Sequence, residues 1–209
     1  MRALIAGLCV AVLAGPVVAA EEGACYVAGS LVHADFALPR TVAAIEAKHV
    51  SVVVIGSASS TLPGAEGVAK AYPARLQESL TRRLPGVTVN VVAHTKARET
   101  AAEMVKTLRQ VVNDEKPDLV VWQTGTVDAM RFVALQREIP LFDRLGVMKD
   151  WNEMGVFDLS TATKKIDVAE RVHDCIGRML ARLVVDGAML AKTGNTGVGI
   201  VDGLNKDSH

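Results

Sequence analysis

The chain has 209 residues, half of them hydrophobic, and its 23 basic side chains balance its 23 acidic ones. That length suits a single domain with a real hydrophobic core. The balanced charge sets up no overall field toward nucleic acid or an anionic membrane, so neither is expected as a partner.

The first twenty residues read as a secretory signal peptide. Met1 and Arg2 give a positive start, Leu4 to Leu13 carry no charge, and Val18-Ala19-Ala20 forms a small-residue cleavage site before Glu21 and Glu22. The apolar run is shorter than the roughly 20 residues that cross a bilayer, and no later segment approaches that length, so no membrane span is expected. Cleavage near Ala20 leaves residues 21–193 as one periplasmic or secreted domain. In that oxidising compartment Cys25 and Cys175 either pair or stay separate thiols, Cys175 then being a small apolar residue on a buried helix face.

A helix is expected over Pro39 to Ala47. From Val50, short β-branched runs alternate with longer helical patterns, the signature of parallel strands wrapped by helices. Val50 to Ile55 is the first strand and ends at Gly56. A turn, Ser57-Ala58-Ser59-Ser60-Thr61, leads through Pro63 and Gly64 to a helix from Tyr72 to Leu84, stopped by Pro85-Gly86. Val87 to Ala93 reads as strand two. Glu99 to Asn113 places Ala102, Val105, Leu108 and Val112 on one helical face. Strand three spans Asp118 to Gln123, and its run Leu119-Val120-Val121-Trp122 lacks polar alternation, which predicts the middle of the sheet.

A turn over Thr124 to Asp128, a helix from Ala129 to Gln136 and a less regular stretch through Phe157 follow. The last helix is expected to start at Ser160 or Thr161 as N-cap, with Gly187 as a candidate break. Its apolar stripe holds Ile166, Ala169, His173, Ile176, Leu180 and Leu183. Residues 194–209 are Gly-rich and polar and read as a disordered tail.

In an open parallel sheet, ligands bind beyond the C-terminal ends of the strands. The loops Gly56 to Thr61 and Thr124 to Asp128 become neighbours there if the strand order is 2-1-3. A serine on a strand-to-helix turn exposes its oxygen while nearby N–H groups can hold an oxyanion. Ser57, Ser59 and Ser60 compete for that role, and all three serve equally well as turn and capping hydroxyls.

A nucleophilic serine also needs a base. His173 is the candidate, with Glu170 three residues earlier and Asp174 beside it to orient the ring; the plainer reading is a satisfied core histidine. His94 would share the same sheet edge, whereas His49 precedes strand one at the opposite edge. No Gly-x-Gly-x-x-Gly follows the first strand, no Gly-x-x-x-x-Gly-Lys occurs, and no Cys/His cluster has metal-ligand spacing, so no metal or cofactor is expected.

Four blocks together resemble the SGNH/GDSL hydrolases over roughly residues 38–185. They are a strand ending Val54-Ile55-Gly56-Ser57-Ala58-Ser59-Ser60, a block near residues 93–100, Trp122-Gln123-Thr124-Gly125-Thr126-Val127-Asp128, and Glu170-x-x-His173. The segments Lys70 to Leu76 and Cys175-Ile176-Gly177-Arg178 are similar to exported bacterial members. The resemblance implies an α/β, three-layer flavodoxin-like sandwich with a short parallel sheet. It also implies hydrolysis of acyl or acetyl esters, with a small ester or acylated glycan as substrate. Carried over by position, it gives catalytic roles to Ser57 or Ser59, His173 and Glu170, and oxyanion or binding roles to Gly56, Gly125, Thr126 and Asp128.

The chain departs from that pattern in several places. The family's Gly-Asp-Ser falls on Gly56-Ser57-Ala58, its block-two glycine on Thr95 or Ala97, and its block-three asparagine on Val127. Loss of one oxyanion donor costs on the order of a hundred- to a thousandfold in rate. Glu170-x-x-His173 falls inside a helix rather than in a loop. Too few positions separate Val127 from His173 for the usual fold, so one strand–helix unit is expected to be missing, which leaves a sheet edge to be covered. Two functions stay open: a Ser-His esterase, or a catalytically silent domain holding a glycan, acyl or protein ligand in the same cleft, where Lys96 and Arg98 would suit an anion.

Overall fold

The computed structural model describes residues 25–123, 134–160 and 165–194. In chain order the helices are Pro39–Glu46 (α1), Gly67–Lys70 (α2), Tyr72–Arg83 (α3), Ala101–Asp114 (α4), Arg144–Glu153 (α5) and Ile166–Thr193 (α6). The strands are His49–Gly56 (β1), Thr88–Thr95 (β2) and Leu119–Trp122 (β3). All pairing is parallel, in the order β2-β1-β3.

Successive side chains of a strand point to opposite faces, and β1 shows what that alternation builds. Val50, Val52 and Val54 enter one core with Leu76 and Leu80 of α3, Val147 and Trp151 of α5, and Ile176 and Leu180 of α6. Val53 and Ile55 enter another with Met104 and Val111 of α4. Helices therefore cover both faces of a short parallel sheet, the α/β sandwich expected, of flavodoxin-like type.

Three expectations need correction. Leu119 to Trp122 is not the middle of the sheet: β1 is, and β3 is an edge of the described sheet with all four residues half-buried. Its unbroken apolar run reflects two covered faces, since Leu119 and Val121 pack on the first core and Val120 and Trp122 on the second. Apolar pattern reports what lies above and below a strand, not what lies beside it.

The last helix starts later than expected. Its N-cap is Lys165, with no side-chain capping bond. Ser160 instead turns its hydroxyl onto Asp158 at 2.5 Å, and Thr161 lies outside the described residues.

Gly187 does not break α6. The bare backbone there lets the segment before α1 settle on the helix, where the Leu38 N–H donates to the Gly187 carbonyl at 2.9 Å. Gly177 plays a similar part against α3, because a side chain at this point would meet the backbone of Arg75 and Leu76.

Cys25 and Cys175 are joined by a disulfide that ties the first described residue to the third turn of α6. Two hydrogen bonds hold the same segment onto α5: Trp151 Nε1 donates to the Tyr26 carbonyl at 3.0 Å and the Ala28 N–H to Asp150 at 3.2 Å. Among the described residues no helix is long and apolar enough to cross a membrane. The signal segment, the loop over Thr124 to Asp128, most of the helix expected over Ala129 to Gln136, and the tail from residue 195 lie outside the described residues.

Candidate functional site

The C-terminal ends of all three strands meet at Gly56. Thr95 is its register partner on β2, the Lys96 N–H donates to the Gly56 carbonyl at 3.2 Å, and the Gln123 N–H donates to the Ile55 carbonyl at 2.8 Å. After Gly56 the chain closes a short 3₁₀ turn over Ala58–Ser60, with the Ser60 N–H donating to the Ser57 carbonyl. This tight return needs a glycine, because the Ser60 side chain fills the space a Cβ of residue 56 would take.

The three serines then separate into two kinds. Ser60 is buried; its hydroxyl donates to Gln123 Oε1 at 2.8 Å and lies 3.3 Å from the Tyr72 hydroxyl. Ser59 is exposed, accepts from Gln123 Nε2 at 2.5 Å, and lies 3.2 Å from the Ser57 hydroxyl. One amide side chain thus pins a structural serine with its oxygen and an exposed one with its nitrogen. In the sequence Gln123 stands as the end of the expected third strand and as part of the Trp122 to Asp128 block, with no role of its own. Its place, one residue past a strand that ends beside Gly56, is the signal that would have singled it out.

His173 lies in α6, buried, and is turned toward α3. Its Nδ1 accepts the Tyr72 backbone N–H at 2.9 Å. That N–H belongs to the first turn of α3, where backbone donors have no partner inside the helix. A neutral imidazole that accepts at Nδ1 carries its proton on Nε2. A serine relay requires the opposite tautomer, with Nδ1–H held by a carboxylate and Nε2 free to take the serine proton. Burial and the nearby Arg144 guanidinium lower the His173 pKa to about 4.

The two carboxylates meant to orient this ring are engaged elsewhere. Glu170 binds Lys70 at 3.0 Å and Asp174 binds Arg178 at 2.6 Å. The Lys70 ammonium is held above its ordinary pKa by its bonds to Glu170 and Glu66. The structure therefore gathers Gly56, Ser57 and Ser59 at one edge and gives Glu170 a partner other than His173. Gly125, Thr126 and Asp128 lie outside the described residues. His94 Nε2 faces the Glu115 carboxylate at 2.8 Å, and His49 sits at the opposite end of β1. Among the described residues no group of His, Cys, Asp or Glu could hold a metal ion.

Arg144, which nothing in the linear pattern singles out, completes the edge. It is the first residue of α5, donates from a terminal nitrogen to the Ser59 carbonyl at 3.2 Å, and lies 5.8 Å from the Tyr72 ring centroid.

A short parallel sheet between two helical layers, with a hydroxyl-bearing loop where its strands end, forms a hydrolase-like domain. The chain belongs to the non-GDSL lipase-like family, whose model matches residues 24–134. This GDSL-related family is not the SGNH/GDSL group itself, which suits a chain with Ala58 in the third position of the Gly-Asp-Ser block. The match takes in Ser57, Ser59 and Gln123 but ends before Arg144, Glu170 and His173. No curated protein and no solved structure matches the chain.

Proposed function

We propose that this chain is an exported member of the lipase-like family that holds an acyl ester or acylated glycan at the Ser57, Ser59 and Gln123 edge without a serine–histidine relay. The observation that carries the reading is the Tyr72 N–H seated on His173 Nδ1. It commits His173 to a tautomer that donates and cannot accept the serine proton, and His94, at the C-terminal end of β2, faces Glu115 instead. Export rests on the composition of residues 1–20, and a disulfide between Cys25 and Cys175 suits an oxidising compartment.

A specific observation favours a second reading, a serine esterase. Ser59 is exposed at the tip of β1, with a second hydroxyl and an amide N–H within hydrogen-bond reach, and such donors stabilise an oxyanion.

A fluorophosphonate probe, p-nitrophenyl acetate and p-nitrophenyl butyrate separate the two. Binding alone predicts no adduct and no turnover at high protein concentration. It also predicts that methyl octanoate or an acetylated oligosaccharide shifts the backbone amide signals of Ser57 and Ser59 in NMR spectra. An adduct that disappears in Ser57→Ala or in Ser59→Ala would establish the esterase and reject the binding reading.

A further inference from the structure

We propose that Arg144 is an oxyanion-binding residue, and that the ligand at the Ser57, Ser59 and Gln123 edge carries a carboxylate or phosphate group. This rests on the reading that the edge holds a ligand, and it names the chemistry of that ligand.

A guanidinium has five N–H donors in a planar fork matched to the two oxygens of a carboxylate or phosphate. In this structure the fork is largely unspent. Arg144 makes one hydrogen bond, to the Ser59 carbonyl. Its Nε is buried and has no partner. Among the described residues no ion pair involves it. The neighbouring carboxylate, Asp143, accepts from the Gly146 N–H at the start of α5.

Position makes the unpaired charge more costly. A helix N-terminus carries positive partial charge and favours anions, so a cation on the first residue of the ten-residue α5 adds to an already positive field. The Tyr72 ring and the Ser59 carbonyl offset part of this. Burial nevertheless pulls the Arg144 pKa down, and the same charge helps hold His173 neutral.

A half-buried guanidinium with an orphaned Nε and, among the described residues, no carboxylate partner is best compensated by an anion from outside the chain. An oxyanion bridging the Arg144 fork would meet the exposed Ser59 hydroxyl and the Gln123 amide, which bind it as neutral donors. An acyl or glycan body would continue from that anchor.

The test titrates wild type and Arg144→Met with octanoate, octyl phosphate and methyl octanoate, following the Arg144 Nε–H signal by NMR and the melting temperature. Octanoate or octyl phosphate should shift that signal and bind wild type at least tenfold more tightly than methyl octanoate. The stronger of the two names the head group. In Arg144→Met the preference should vanish while methyl octanoate still binds, and Arg144→Lys should keep part of it as a point charge without the fork.

Equal binding of charged and neutral compounds by wild type would overturn the anion proposal and leave the ligand-binding reading standing. Binding of the anions without methyl octanoate would uphold the anion proposal and reject the neutral ester as the ligand of this edge. A lower ligand-free melting temperature in Arg144→Met, with octanoate binding unchanged, would assign Arg144 to structure alone and also overturn the proposal.

Discussion

Acid should reveal what His173 does. In the unfolded chain an imidazole takes a proton as pH falls through about 6.5, whereas in the folded protein His173 stays neutral down to about 4. Between those values the unfolded state binds a proton the native state refuses. The stability tied to this ring is therefore complete above pH 6.5 and is lost progressively as pH falls toward 4. A difference of about 2.5 units corresponds to about 3 kcal/mol, and the ring is 5% exposed, so solvent screens little of it. Urea denaturation at pH 7.5 and pH 4 measures the whole protein's acid sensitivity. Repeating it with His173→Gln, which keeps an acceptor for the Tyr72 N–H but cannot titrate, isolates the histidine's share. The ¹⁵N shifts of the ring should show an unprotonated Nδ1 and a protonated Nε2. A His173 that titrates near 6.5 with its proton on Nδ1 would refute the tautomer argument and return it to the role of base.

Three further outcomes follow from contacts described above. Replacing both Cys25 and Cys175 with alanine opens a loop whose ends are 150 positions apart; chain entropy puts the loss at up to about 5 kcal/mol, and a fall below about 1 kcal/mol in urea denaturation would show that the Tyr26 and Ala28 hydrogen bonds hold the segment unaided. Ser60→Ala leaves Gln123 Oε1 and the Tyr72 hydroxyl without their buried partner and should cost about 1–3 kcal/mol. It should not change fluorophosphonate reactivity, and an effect there would move Ser60 into the site. Gly177→Ala should cost about 1–3 kcal/mol by forcing α6 away from α3, read as a lower melting temperature with unchanged helical circular dichroism.

Most of the framework was legible because it depends on local periodicity. The β-branched run over residues 50–55, the helix from Tyr72 stopped at Pro85-Gly86, and the stripe over residues 99–113 all lie within two residues of the observed elements. The lateral place of β3 was not legible, since a strand packed on both faces looks the same at the edge as in the middle. The site was legible only in part. Ser57 and Ser59 were found because a turn after a strand advertises them. Arg144 was missed because its significance lies in what is absent around it among the described residues: a carboxylate that fails to arrive leaves no mark in a linear sequence. His173 was found and its orientation was not, because the Tyr72 N–H that fixes the ring comes from a helix 101 positions away.

The disulfide also orders events in time. A chain made from its N-terminus presents Cys25 long before Cys175, and the thiol must wait while the three described strands and the first third of α6 follow. Bonded to Cys25, Cys175 is only 3% exposed, so the closed bond is sheltered from reductants in solution. The cross-link that fastens the first described segment can therefore form only after the last helix has begun, and once formed it is kept by the packing around it.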